Sequence, residues 1–268
     1  MDMVVCRAER ELTMGSVETF YAARRPVRLT SKSEAIGSHS AMTPQSRFNA
    51  LGLLVASASS TACGGHNTLR PLWANEALHR ASNFIRLMEK LEANAPPTAE
   101  PISKSDAENG LVLLLAAGFG SLYINDDTEP RLCSEQIADI NRTLIELFGP
   151  AVGDVIFESQ VDHLVLPAYA HRALILLAVE RVTNCLLHGF RKQQTGRITL
   201  DLRVLSLATA SLTITDNGEA LCDRHSHDMR FRSRVSDDLA DLLQTKLTCS
   251  RDAAGGTIAT ITFPYSDI

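Results

Sequence analysis

A regular pattern of apolar and polar positions begins at Pro71. Ala77, Ala81, Phe84, Met88 and Leu91 recur at alternating steps of four and three, the seam of a helix that packs along another helix. Pro71 suits a first helical turn, and Pro96-Pro97 closes the run. Residues 98–107 read as a polar turn, and the apolar stretch 108–124 as a returning helix. Gly118 and Gly120 lie inside it, and each costs up to about 1 kcal/mol in a helix interior. A further helix is expected over Ser134–Phe148. Ile137, Ile140, Leu144, Ile145 and Phe148 share a face, and Gly149-Pro150 follows.

Downstream the pattern becomes that of an α/β unit. Residues 155–158 read as a strand, and 170–188 as a long apolar helix ended by Gly189. RITLDLRVL at 197–205 alternates, and ASLTIT at 210–215 continues the period, so two strands joined by a turn are expected. Residues 235–247 look helical, and TIATITF at 257–263 reads as a last strand before Pro264. Residues 1–68, rich in Ser, Thr, Ala and Arg, carry no sustained period and read as a flexible segment. The expected organisation is therefore a flexible 1–68, paired helices over 69–130, and an α/β domain over 131–268.

Composition narrows the function classes. Of 268 residues 45% are apolar, enough for a real core, and the net charge is −5. With no long basic run, the chain does not read as a nucleic-acid binder. Six cysteines lie far apart with no C-x-x-C pair, so neither a zinc knuckle nor a disulfide framework is suggested, and the spacing suits a reducing cytoplasm. No apolar run approaches the roughly 20 residues that span a bilayer, so no membrane span is expected and the protein is placed in the cytoplasm.

Candidate chemistry sits on three segments. In the helix at 170–188, Glu180, Asn184 and His188 recur every four residues and form one polar stripe on an apolar element. Such a stripe faces either water or a polar ligand, and a carboxylate beside a carboxamide suits magnesium and phosphate oxygens. The strand LTIT runs into Asp216-Asn217-Gly218, and Gly255-Gly256-Thr257 opens the final strand. Each alone is a turn signal; their order and spacing are what is specific. In the first helix, His79 lies about 160–200° from Ala77 and Ala81. It is therefore expected to face water together with Glu76, Asn83 and Arg86. Cys222, His225 and His227 are metal-type residues without a fourth ligand at tidy spacing.

The boxes E-x-x-x-N-x-x-x-H, D-N-G and G-G-T together resemble the ATP-binding domain shared by histidine kinases, gyrase, the Hsp90-type chaperone and MutL, the GHKL class. LILLAVERVTNCLLHGF is similar to the asparagine box of one kinase subgroup. EALHRASN, residues 76–83, resembles the phosphoacceptor box E-[IL]-H-H-R-x-x-N of the HisKA_2 and HWE kinases, with Leu78 in place of the first histidine. The resemblance implies an α+β fold: a dimerising helical hairpin followed by a two-layer α/β sandwich of the histidine-kinase ATPase type. It implies ATP and Mg2+ as cofactors, with Asn184 holding the metal and Glu180 orienting or polarising its surroundings. Asp216 would accept the adenine amino group, with Gly218, Gly256, Thr257 and His188 completing the nucleotide site. His79 would be the phosphoacceptor, supported by Glu76, Arg80 and Asn83. The implied partners are a second copy of the chain, through a four-helix bundle, and a response-regulator receiver domain.

The nucleotide-binding half also departs from the family pattern. Ala220 stands where a second glycine is usual, and no glycine occurs between Glu219 and Ala254, where a glycine-rich phosphate lid belongs. Val235-Ser236-Asp237-Asp238-Leu239 lies there instead, and acidic groups beside a triphosphate are unfavourable. Two further readings follow: a phosphotransfer protein or response-regulator phosphatase that does not use ATP, and an anti-sigma-like binding module. The last class lacks the paired-helix segment.

Overall fold

The computed structural model describes residues 27–29, 70–94, 104–122, 130–190, 195–219, 227–253 and 255–265. Helix α1, Arg70–Ala93, and helix α2, Lys104–Ser121, come first, apart from a short strand β1, Val27–Leu29. Strand β2, Pro130–Leu132, leads into α3, Ser134–Phe148, which ends in a 3-10 turn at Gly149–Ala151. Then follow β3, Val155–Val161, β4, Val165–Pro167, and α4, Ala168–Asn184, whose last turn opens into a π turn at Cys185–Gly189. The remainder is β5, Gly196–Ser206, β6, Thr209–Asp216, α5, His227–Leu242, β7, Thr248–Arg251, and β8, Thr257–Pro264.

Six strands form one sheet in the order β1-β3-β5-β6-β8-β7, and β2 pairs with β4 apart from it. Among the described strands only β3 and β5 pair in parallel, and α4 lies in the crossover between them. Strand alternation assigns the two faces. Ile198, Leu200 and Leu202 of β5, Leu212 and Ile214 of β6, and Ile261 and Phe263 of β8 are buried under the helices. Thr199, Asp201, Arg203, Thr213 and Thr260 point the other way and are partly exposed. α3 lies over β3, α4 over β6, and α5 packs on α4.

Gly118 shows why α2 tolerates its glycines. A Cβ there would lie 2.9 Å from Ile140 Cγ1, so its absence lets α2 seat closely on α3. The C-terminal carbonyls of α2 are met by guanidinium groups. Arg131 Nη1 donates to Ser121 O at 2.8 Å, and Arg172 Nε to Leu122 O at 2.9 Å.

The seam of α1 is buried within its own chain. Phe84 stacks on Phe148 of α3 with ring centroids 5.6 Å apart, and meets Phe119 of α2 at 5.9 Å. Trp73, Ala77, Ala81, Leu87 and Met88 are buried as well, and α1 packs on the 3-10 turn, the π turn, α3 and α5. The apolar core is continuous from Trp73 to Phe263. The seam expected to serve a second copy is thus occupied inside the chain, and a bundle with a second copy would need the outward stripe at Leu78, Ser82 and Ile85.

Val27–Leu29 pairs antiparallel with β3. The rest of the segment expected to be flexible lies outside the described residues, as do Cys222 and His225. No helix among the described residues is long and apolar enough to cross a membrane.

Candidate active site

Two helical turns face each other across the interior. α4 presents Glu180 and Asn184, and α1 presents His79 and Asn83, each pair one turn apart. His79 Nε2 lies 3.1 Å from both carboxylate oxygens of Glu180. Asn83 Nδ2 donates to Glu180 Oε2 at 3.2 Å, and Asn184 Nδ2 donates to Oε1 at 2.9 Å. All four side chains are buried. A carboxylate only accepts, so the network assigns a hydrogen to His79 Nε2, donated to Glu180. The approach of Asn83 Nδ2 to the same nitrogen, 3.0 Å, is then a packing contact.

His79 was expected to face water; it is 7% exposed and buried against α4. The reason is that α1 buries far more than its five-residue seam. It is flanked on one side by the aromatic cluster and on another by α4, its π turn and α5. The polar face at Glu76, His79, Arg80 and Asn83 is therefore an internal polar interface. Glu76 ion-pairs with Arg80 at 3.5 Å, and the Arg80 guanidinium lies over the Phe119 ring at 4.2 Å. Arg86 is exposed, as the helical geometry predicts.

Asn184 Oδ1 is buried and has no hydrogen-bond partner among the described residues, while its amide nitrogen is tied to Glu180. A buried, oriented carbonyl oxygen left unpaired is costly. It is the donor type a hard cation takes, so this residue fits the magnesium that the resemblance implies. No group of three or more His, Cys, Asp or Glu among the described residues is arranged to hold a metal.

A second cluster lies where the strands end beside the π turn. Asp216 closes β6 and sits opposite Thr257 of β8 in the sheet register. Gly218 N–H donates to Asp216 Oδ1 at 2.9 Å, and the Cys185 thiol donates to Oδ2 at 3.2 Å. Burial and the Asp216 charge hold the Cys185 thiol well above its ordinary range. Both glycines serve close backbone approach. A Cβ on Gly218 would lie 2.2 Å from Gly189 O, and one on Gly256 only 1.9 Å from Asp216 O. The Glu219 N–H donates to the same Gly189 carbonyl at 2.7 Å, which pins the D-N-G turn on the end of α4.

His188 falls in the π turn and is half-buried. Val235 to Leu239 is helical within α5. Val235, Ser236 and Leu239 are buried there, and Asp237 and Asp238 point outward.

Two contributors had no sequence signal of their own. Cys185 holds Asp216, and Lys90 Nζ donates to Leu186 O at 3.0 Å and Leu187 O at 3.1 Å. Burial lowers the Lys90 ammonium from its ordinary value.

A helical pair leading into a helix-covered sheet, with an acid and an amide on the central helix, makes this an α+β domain. In agreement, the chain is similar in fold to the histidine kinase domain of the blue-light activated histidine kinase EL346 from Erythrobacter litoralis. The TM-score is 0.55 at 19% identity, over 81% of this chain and 95% of that one. The ATP-binding domain of PrrB from Mycobacterium tuberculosis matches more distantly, with a TM-score of 0.41 and 19% identity over 53% of this chain and 100% of that one. No family model and no curated protein matches the sequence.

Proposed function

We propose that the chain is a histidine kinase of two-component signalling, of the HisKA_2/HWE type, which phosphorylates His79 from ATP and passes the group to an aspartate of a receiver domain. The observation that carries this reading is the 3.1 Å contact between His79 Nε2 and Glu180, on the helix that also bears Asn184. Glu180 takes the Nε2 hydrogen, which frees the in-plane lone pair of that nitrogen, and the ring turns from the carboxylate toward the γ-phosphate. Nε2 bonds to the γ-phosphorus, the bond from that phosphorus to the bridging oxygen of ADP breaks, and ADP leaves. Magnesium, when bound, neutralises charge on the phosphates, and Asn184 Oδ1 is the ligand this chain offers it. Asn83 and Asn184 fix the Glu180 carboxylate from opposite sides. Asp216, its two oxygens oriented by Gly218 and Cys185, is the acceptor for the adenine amino group.

The test is incubation with magnesium and γ-labelled ATP beside His79→Ala and Asn184→Ala. Acid-labile, base-stable label in the wild type alone supports the reading. No label in folded wild-type protein refutes it.

One observation favours a second reading. The chain has no glycine between Glu219 and Ala254, where backbone N–H groups would cradle phosphates. A phosphotransfer protein or receiver phosphatase needs His79 but no such lid. It would take label from a phosphorylated receiver domain while ATP leaves it unlabelled.

A further inference from the structure

Lys90 stands eleven residues beyond His79 on α1. Its ammonium reaches the π turn and donates to two successive carbonyls, Leu186 O and Leu187 O. Carbonyls at a helix C-terminus are the negative end of that helix and lack partners of their own. A half-buried ammonium is costly unless bonded, and here it makes two charge-assisted bonds. This contact is therefore directional, unlike the apolar packing around Phe84.

The spacing of the two contact points matches on both helices. From Asn83 to Lys90 is seven residues of α1, a rise of about 10 Å. From Glu180 to Leu187 is also seven residues, the last three of them in the π turn. Asn83 bonds Glu180 at one end, and Lys90 bonds Leu187 at the other. The two contacts thus follow the same order along both elements. A slip by one turn, about 5.4 Å, would break both contacts together and carry His79 out of reach of Glu180.

We propose that α1 is clamped at these two points to α4 of its own chain, with Lys90 as the positioning residue that sets His79 against Glu180, so that phosphoryl transfer to His79 occurs within one chain. The second part rests on the kinase reading above; the clamp does not. The seam residues Ala77, Ala81, Phe84 and Met88 are buried in the same chain, so donor helix and acceptor helix form one unit without a second copy.

The test uses full-length protein in three forms: wild type, Lys90→Met, which keeps the apolar stem, and Lys90→Arg, which keeps the charge. Each is treated with diethyl pyrocarbonate, and carbethoxylation is followed per histidine by mass spectrometry. His163, exposed on the surface, is the internal reference. Lys90→Met is expected to acylate His79 at least fivefold faster than wild type, with Lys90→Arg close to wild type and His163 the same in all three. Equal His79 rates in wild type and Lys90→Met would overturn the clamp.

The same-chain claim is tested by mixing His79→Ala with Asn184→Ala before adding γ-labelled ATP. No label on either chain is expected. Label on the Asn184→Ala chain would mean transfer between copies and overturn the claim. Wild-type protein that takes no label would remove the kinase reading and the same-chain claim with it, while the acylation arm still decides the clamp.

Discussion

Replacing His171 with phenylalanine should flatten the acid dependence of stability. His171 lies near the start of α4, 1% exposed, and neither ring nitrogen has a hydrogen-bond partner among the described residues. Burial, then the positive charge of Arg131, pushes its pKa from the ordinary 6.5 down to about 4; Arg172 adds to this, and the Leu132 carbonyl opposes it in part. The folded protein therefore keeps this ring neutral while the unfolded chain protonates it. Stability from this source is complete above pH 6.5, falls as the pH drops from 6.5 toward 4, and is constant below. At about 1.4 kcal/mol per pH unit, the whole interval is worth about 3 kcal/mol. Urea unfolding of wild type and His171→Phe between pH 7 and pH 4.5 measures it. Carboxylates titrate in both proteins, so the difference between the curves isolates the imidazole. That difference should shift by about 2 kcal/mol between pH 6 and pH 4.5, in favour of the variant. Parallel curves across that interval would show that the folded state protonates His171, and would refute the argument.

Other substitutions separate the roles of the glycines. Gly118→Ala should lower Tm because its Cβ would meet Ile140 at 2.9 Å, whereas Gly120→Ala, with nothing within 4 Å, should raise stability by about 0.5–1 kcal/mol in a thermal melt. Gly256→Ala puts a Cβ 1.9 Å from the Asp216 carbonyl, so it should disrupt the β6–β8 pairing and cost more than about 3 kcal/mol in denaturant unfolding.

Much of this architecture is written in the period of the apolar residues. α3 matches its expected bounds because a strong apolar face ends at Phe148, where Gly149-Pro150 breaks the helix. β5, β6 and β8 match because one face of each is buried and the other is not. β2 and β4 have three residues each, too few to establish a period, and each contains a proline. α5 begins eight residues before its expected start, in a polar stretch where no apolar face announces it. The π turn is equally silent, since its residues would fit an α-helix as well.

At the site, the spacing of Glu180 and Asn184 was legible because it is local to one helix. The facing of His79 was not. Its burial depends on Glu180, 101 residues away. Before that partner is known, a buried polar face cannot be told from a wet one. The Asp216 cluster divides in the same way. Asp216 and the glycines follow from strand ends, but the thiol of Cys185 joins them only through the packing of α4 against β6.

The single apolar core has a consequence for how the molecule moves. Trp73, Phe84, Leu87 and Met88 tie α1 to the rest of the chain. Exposing four such side chains costs roughly 2 kcal/mol each, or about 8 kcal/mol together. At that cost a detached α1 exists about once in a million molecules. α1 is therefore no swinging arm. It is expected to melt with the sheet as one cooperative unit, with its amides protected in hydrogen exchange to about the same depth as those of β6.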